Sequence, residues 1–126
     1  METKQPTTEQ ILSMMKGAMD GKLPLAIELA GEVFPEMVAE HAHSSTFALP
    51  ENGALDAQTR TLIYLGVALA TGSKACIEAM MNKAKMQNIN KAKILETFKI
   101  ARYAEATRVL GNAEIVFEHL ASNELK

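Results

Sequence analysis

Apolar residues recur along this chain at intervals of three to four positions, the spacing that gathers them on one face of an α-helix. No segment alternates convincingly between apolar and polar residues with the period of two that is typical of a half-buried strand. Residues able to cap a helix precede several of the periodic segments, among them Thr7, Asp56, Ser73 and Asn90. The pattern therefore predicts an all-α fold.

Caps and helix breakers divide the pattern into about six to seven predicted helices. They run from Thr7 to about Met19, from Pro24 to Val33, from Pro35 to Ser45, from Asp56 to Gly72, from Lys74 to Gln87, from Asn90 to about Leu110, and through the closing AEIVFEHLA. Pro35 separates two of them, because a proline inside a helix loses a hydrogen bond and clashes with the preceding turn. The Asn-Gly in the loop between residues 49 and 56 predicts no hairpin, since no alternating strands flank it.

The apolar stripes also predict which residues face the core. These are Ala26, Leu29, Ala30 and Val33 in the second helix; Leu62, Ile63, Gly66, Val67 and Ala70 in the fourth; Ile77, Met80, Met81 and Ala84 in the fifth; and Ile94, Leu95, Phe98 and Ala101 in the sixth. Two segments, LIYLGVALA and MMKGAM, carry more apolar residues than a narrow stripe needs. Because contiguous apolar surface on a small domain usually meets a partner, we expect a homo-oligomer.

The chain length fits a single domain over residues 1–126. The formal charge of -2 does not favour a nucleic-acid partner. The longest apolar run, residues 62–70, is far shorter than the about 20 residues of a membrane helix, so no membrane partner is expected. The first ten residues are polar and the chain has one cysteine, which together indicate a reducing cytoplasm. No feature indicates a cofactor.

The segment ALDAQTRTLIYLGVALATGSKACIEAMMNKA and the following INKAKILETFKIARYAEATRVLGNAE resemble the carboxymuconolactone decarboxylase and AhpD-like family. The resemblance covers about Gly53 to Leu120, with residues 1–48 forming N-terminal helices. It implies an all-helical domain that assembles as trimers or hexamers. The thiol-dependent branch implies a disulfide-reductase or peroxidase activity that regenerates a peroxiredoxin. The decarboxylase branch implies loss of CO2 from a muconolactone acid.

The resemblance also implies which positions carry the chemistry. The thiol branch uses Cys-x-x-Cys-x-x-x-His at a helix start, with a Glu on the preceding helix. In this chain those positions hold Ser73, Cys76, Met80 and Thr61, so only one of the four matches. A dithiol cycle cannot run within a chain that has one sulfur of the pair. The decarboxylase branch needs the histidine, and the thioether of Met80 cannot transfer a proton in its place.

Any thiol activity of this chain depends on Cys76 alone. If Ser73 is the N-cap, Cys76 lies at N3, close to unpaired N–H groups and the positive end of the helix dipole, which favour a thiolate. Lys74 would add positive charge. The resulting prediction is a single-cysteine, peroxiredoxin-type antioxidant oxidoreductase that needs an external thiol reductant. A free cysteine is also often a small buried apolar residue, and this alternative stays open.

Three other functions also stay open: an oligomeric scaffold without catalysis, a binder of a small apolar acid, and a divergent decarboxylase.

Glu36, Glu40 and His43 share a helical face and could hold a metal, but a solvent-facing polar stripe explains them and no metal is expected. Arg102 and Arg108 flank Glu105 at i, i+3 spacing, which is interpreted as ion pairing rather than carboxylate recognition. Arg60 is assigned a structural pairing.

Overall fold

The structure is a computed structural model that describes residues 5–122 and 125, and throughout these residues it contains helices and no strand. Seven helices follow one another in this part of the chain: α1 (Thr8–Ala18), α2 (Leu25–Val33), α3 (Pro35–Ala48), α4 (Ala57–Thr71), α5 (Lys74–Met86), α6 (Lys91–Asn112) and α7 (Glu114–Ala121). The all-α prediction is confirmed.

Side chains cap three of these helices as the sequence predicts. Thr7 and Gln10 form a reciprocal capping box on α1, with N–O distances of 2.8 and 3.1 Å. Asp56 Oδ1 accepts from Thr59 N at 2.8 Å, and Asn90 Oδ1 accepts from Ala92 N at 2.7 Å. Each bond satisfies a backbone donor that the first turn of a helix leaves free, and so fixes where the helix begins.

Ser73 occupies the N-cap of α5, but its side chain makes no capping hydrogen bond, so the predicted side-chain cap is wrong. Its ψ angle is 90°, against 162° at Thr7 and 166° at Asp56. The chain arrives from Gly72, whose φ of 76° ends α4 in a left-handed turn. Ser73 therefore begins α5 through its backbone carbonyl, which accepts from Ile77 N at 2.9 Å.

The helices pack in two groups. The first three pack against one another, and α4 packs against both α5 and α6, while α7 contacts mainly the end of α6. Val38 on α3 is the most deeply buried residue of the first group, and Leu65, Ala79 and Met80 form the core of the second. Because α4 lies at the centre of the second group, it positions the side chains of the candidate site.

The core face of α4 is rotated from the predicted one. The buried residues are Thr61, Leu65 and Ala68, whereas Ile63 is 51% exposed and Val67 is 58% exposed. Apolar residues surround most of this helix, so the pattern alone could not identify the side that meets α5 and α6. The stripe of α5 is confirmed, with Met80 and Ala84 buried and Ile77 and Met81 half-buried.

Helices α2 and α6 depart from the predicted faces as well. Val33 is 82% exposed and Leu29 is about half exposed, so the buried side of α2 does not follow the predicted stripe. In α6, Ala101 is buried as expected, but Leu95 and Phe98 are each about half exposed. Within one chain, too few helices pack against α2 and α6 to bury all of their apolar residues.

Gly111 does not end α6, contrary to the prediction. A glycine ends a helix most often by adopting positive φ, and Gly111 does not, so α6 continues to Asn112 and Ala113 separates it from α7. Exposed apolar side chains continue along both helices: Ile100, Val109, Leu110, Ile115, Val116, Phe117 and Leu120. None of the helices between residues 5 and 122 is long and apolar enough to cross a membrane.

Candidate functional site

Cys76 lies in the first turn of α5, at the N3 position that the sequence predicts, and is half-buried. The hydroxyl of Tyr64, on α4, lies 3.3 Å from Cys76 Sγ. This hydrogen bond raises the pKa of Tyr64 above its ordinary value of 10.0, and burial and the negative charge of the sulfur raise it further. The Tyr64 hydroxyl therefore remains protonated, and able to donate, across the pH range in which thiols ionise.

A donor beside the sulfur has a chemical consequence. A hydrogen bond donated to a charged acceptor stabilises its negative charge, and the Tyr64 hydroxyl lies within hydrogen-bond distance of Cys76 Sγ. Cys76 also lies in the first turn of α5, near the positive end of the helix dipole. Thiolates are the nucleophilic form of cysteine, so the arrangement suits attack by sulfur.

The two predicted supporting residues contribute less directly. Lys74 is exposed at the first position of α5, and in residues 5–122 its ammonium makes no hydrogen bond or ion pair. Ser73 is half-buried and acts through its backbone, as described above. Ser73 and Lys74 are therefore close to Cys76 in the chain without bonding to its sulfur. Tyr64 is the only side chain of the described part that is hydrogen-bonded to Cys76 Sγ.

The positions at which the resemblance implies a proton relay hold an uncharged network. Thr61 is 4% exposed, and its Oγ1 lies 2.8 Å from Gln87 Oε1 and 3.1 Å from the carbonyl of Ala57. Gln58 Nε2 donates to the Gln87 carbonyl at 2.9 Å and so holds the end of α5 against α4. None of these groups titrates near neutral pH, so they orient one another without moving protons.

Met80 is buried at 4% exposure in the core with Leu65 and Ala79. A thioether in this place contributes apolar packing and offers neither a donor nor a base. The position that resembles the family histidine is thus part of the hydrophobic core of this chain.

Sequence reasoning missed Tyr64 and Gln87. Tyr64 lies one helical turn after Thr61, and this spacing is a signal that both residues face the same side of α4. Its partner on α5, however, depends on how the two helices cross. Gln87 is the C-cap residue of α5, and no sequence pattern connects it with Thr61.

Two cavities adjoin α4. The smaller, of about 470 Å³, lies between the loop before α4 and the outer side of that helix, and is walled by Leu55, Ile63 and Val67. The larger, of about 1100 Å³, lies between the first helix group and the α4–α5 pair. Arg60 and Tyr64 line both cavities, whereas Cys76 lines neither.

The remaining predicted candidates are surface residues. Glu36, Glu40 and His43 are exposed on α3, and no cluster of three or more metal-binding side chains occurs in the described ranges 5–122 and 125. Arg108 donates to Glu105 Oε2 through Nη2 at 2.7 Å and Nε at 3.1 Å, a contact that lowers the pKa of Glu105. The predicted pairing of these two residues is therefore present.

Comparison with known proteins adds the family. The sequence model of the carboxymuconolactone decarboxylase family matches residues 33–118, which is more than half of the chain and spans α3 to most of α7. A search of curated proteins finds no match. The matched region contains Thr61, Tyr64 and Cys76 and the packed helices that hold them. The chain belongs to the carboxymuconolactone decarboxylase family.

Proposed function

We propose that this protein is a cytoplasmic antioxidant oxidoreductase of the peroxiredoxin type, in which Cys76 Sγ is the nucleophile and an external thiol is the reductant. The observation that carries the proposal is the hydrogen bond of 3.3 Å between the Tyr64 hydroxyl and Cys76 Sγ at the start of α5. Two independent features, a hydrogen-bonding hydroxyl and a helix N-terminus, lie at this one sulfur, and groups of these kinds stabilise negative charge.

The proposed reaction has three steps. The Cys76 thiolate attacks one oxygen of a hydroperoxide, an S–O bond forms as the O–O bond breaks, and the leaving oxygen takes up a proton from solvent. The sulfur becomes a sulfenic acid through a two-electron oxidation, and the peroxide is reduced to an alcohol or water. One external thiol then displaces water to form a mixed disulfide, and a second releases Cys76 with formation of the external disulfide.

The reaction requires no second cysteine and no proton relay at Thr61 and Met80. This is consistent with the uncharged network at Thr61 and the buried thioether of Met80. A family reaction that depends on a dithiol or a histidine has no corresponding groups at these positions. The single-cysteine cycle is therefore the thiol chemistry that the residues present support best.

We also propose that the active protein is a homo-oligomer, a hexamer or trimer as the family resemblance implies. The exposed apolar side chains of α6 and α7, among them Val109, Ile115 and Phe117, support it. An isolated small domain rarely leaves so many large apolar side chains in water on adjoining helices. A second copy of the chain would cover them.

Peroxide consumption with a small external dithiol tests the proposed activity. We expect turnover that requires the dithiol, disappears in Cys76→Ser, and survives Ser73→Ala, because the Ser73 side chain makes no capping bond. Turnover that persists in Cys76→Ser, or none in the native protein, would contradict the proposal. Circular dichroism of each variant confirms that the helices are intact.

A further inference from the structure

Arg60 is a half-buried cation at the junction of the two cavities. It lies in the first turn of α4, where Nη1 donates to the carbonyl of Leu55 in the preceding loop. The loop packs closely there, since a Cβ on Gly53 would lie 3.1 Å from Pro50 Cγ and 3.7 Å from Arg60 Nη1. The loop therefore holds the guanidinium in place beside the smaller cavity.

The charge of Arg60 has no close counter-ion in the described residues. The ion pairs found there join Lys16 to Glu28 and Arg108 to Glu105, and no described carboxylate lies within 4.0 Å of Arg60. Asp56 experiences the charge only at longer range: its pKa is lowered mainly by hydrogen bonds from Thr59, and Arg60 contributes least. A partly desolvated, unpaired guanidinium is a favourable place for an anion.

Most of the hydrogen-bond donors of Arg60 are also available. A guanidinium has five N–H donors, and the described contacts use one nitrogen, which donates to the Leu55 carbonyl. No side-chain nitrogen in residues 5–122 and 125 is both fully enclosed and without a partner, so the remaining nitrogens of Arg60 are accessible. They can present two parallel donors to a carboxylate.

The cavity next to this cation is apolar. Its volume of about 470 Å³ lies within the range of about 300–1,000 Å³ that is usual for small-molecule sites. Aliphatic side chains form most of the lining, including Leu49, Leu55, Ile63 and Val67, and the ring of Tyr64 completes it. One cation at the edge of an aliphatic cavity matches a ligand with one anionic end and an apolar body.

We propose that this cavity binds an aliphatic monocarboxylate of medium chain length, with its carboxylate on the Arg60 guanidinium and its chain between the loop and α4. A carboxylate is favoured because its two oxygens fit the fork of an arginine, and because one guanidinium balances one negative charge. The inference does not depend on Cys76, which lies outside the cavity.

Octanoate is a suitable probe, and Tyr64 can report its binding. The chain has no Trp and two Tyr, so in Tyr103→Phe the intrinsic fluorescence comes from Tyr64, which lines the cavity. In this background we expect octanoate to change the fluorescence saturably at pH 7 and 1-octanol to bind at least about tenfold more weakly, a ratio that one charge-assisted hydrogen-bonded pair accounts for. Equal affinities would overturn the proposal.

Variants separate the role of Arg60 from folding. Arg60→Met should weaken octanoate binding at least about tenfold, whereas Arg102→Met, which removes an exposed arginine from α6, should leave it unchanged. Because Arg60 also holds the loop, Val67→Glu provides an independent test: it places a negative charge in the wall of the cavity and leaves Arg60 intact. We expect the same weakening.

Retention of full affinity in Arg60→Met or Val67→Glu would overturn the proposal. The binding proposal would also be overturned if octanoate failed to bind and Val67→Glu lowered the mass of the oligomer in light scattering. The cavity would then be part of a contact between copies of the chain.

Discussion

Tyr64→Phe removes the hydroxyl that lies 3.3 Å from Cys76 Sγ and keeps the ring that packs against the core around Leu65. The variant therefore isolates the hydrogen bond from the packing. If the bond supports the nucleophilic form of the sulfur, its removal should lower the rate at which Cys76 reacts with electrophiles.

The size of the effect follows from the hydrogen bond. Such a bond contributes about 0.5–1.5 kcal/mol net, and a value of about 1 kcal/mol is suitable for a half-buried sulfur acceptor. Because 1.4 kcal/mol corresponds to a factor of ten, the rate at which Cys76 reacts should fall about fivefold.

The assay is the rate of alkylation by iodoacetamide under pseudo-first-order conditions between pH 6 and pH 9. Tyr103→Phe is the matched control, because Tyr103 is 74% exposed and lies on α6 rather than beside Cys76. We expect Tyr64→Phe to react about fivefold more slowly than the native protein near pH 7, and the control to follow the native protein. Coincident profiles for all three proteins would refute the reasoning.

Three further predictions concern the core, the surface and the phenol. Leu65→Ala should lower the free energy of unfolding by about 2–5 kcal/mol, and Ile63→Ala by less than about 1 kcal/mol, because Leu65 is 2% exposed and Ile63 is 51% exposed. Denaturant unfolding measures both, and equal losses would contradict the observed face of α4. Phe117→Glu should lower the oligomer mass in light scattering, and an unchanged mass would exclude this part of α7 from the interface. Absorbance titration in a Tyr103→Phe background should show Tyr64 ionising above pH 10, and Cys76→Ala should lower that pH because the hydrogen bond to Cys76 is the largest cause of the raised pKa; an unchanged titration would contradict this cause.

The raised pKa of Tyr64 also makes the stability of the fold depend on pH. Its pKa is raised in the folded protein, so above the ordinary value of 10.0 the native state retains a proton that the unfolded chain loses. The associated stabilisation is present below pH 10 and is lost as the pH rises through the raised value. Acidification in the neutral range should leave this contribution unchanged.

The helices can be located well from the sequence, because the residues that determine each helix end lie close to that end in the chain. Thr7, Asp56 and Asn90 each cap with a side chain a few residues away, and Gly72 ends α4 with a positive φ, so the determinants of each boundary lie within one turn. Ser73 differs from these caps, because the chain reaches it from the left-handed turn at Gly72 with a ψ angle of 90°, and its side chain makes no capping hydrogen bond.

The faces of α4 and α6 could not be predicted from periodicity. Ile63 and Leu65 are both large and apolar, yet the packing of α5 and α6 buries one and leaves the other half in solvent. The hydrogen bonds of Cys76 to Tyr64 and of Thr61 to Gln87 cross between helices as well. Such pairs depend on crossing angle and register, which no local pattern encodes.

The reaction of the native protein with hydrogen peroxide at pH 7 tests most directly whether Cys76 is a reactive thiol. For a reactive Cys76 we expect a rate constant above that of a free model thiol, and a dimedone adduct on the peptide that contains Cys76, as expected for a sulfenic acid. A thiol that reacts no faster than the model compound, or one that stays inert until the protein is denatured, would show instead that Cys76 is a packing residue of α5.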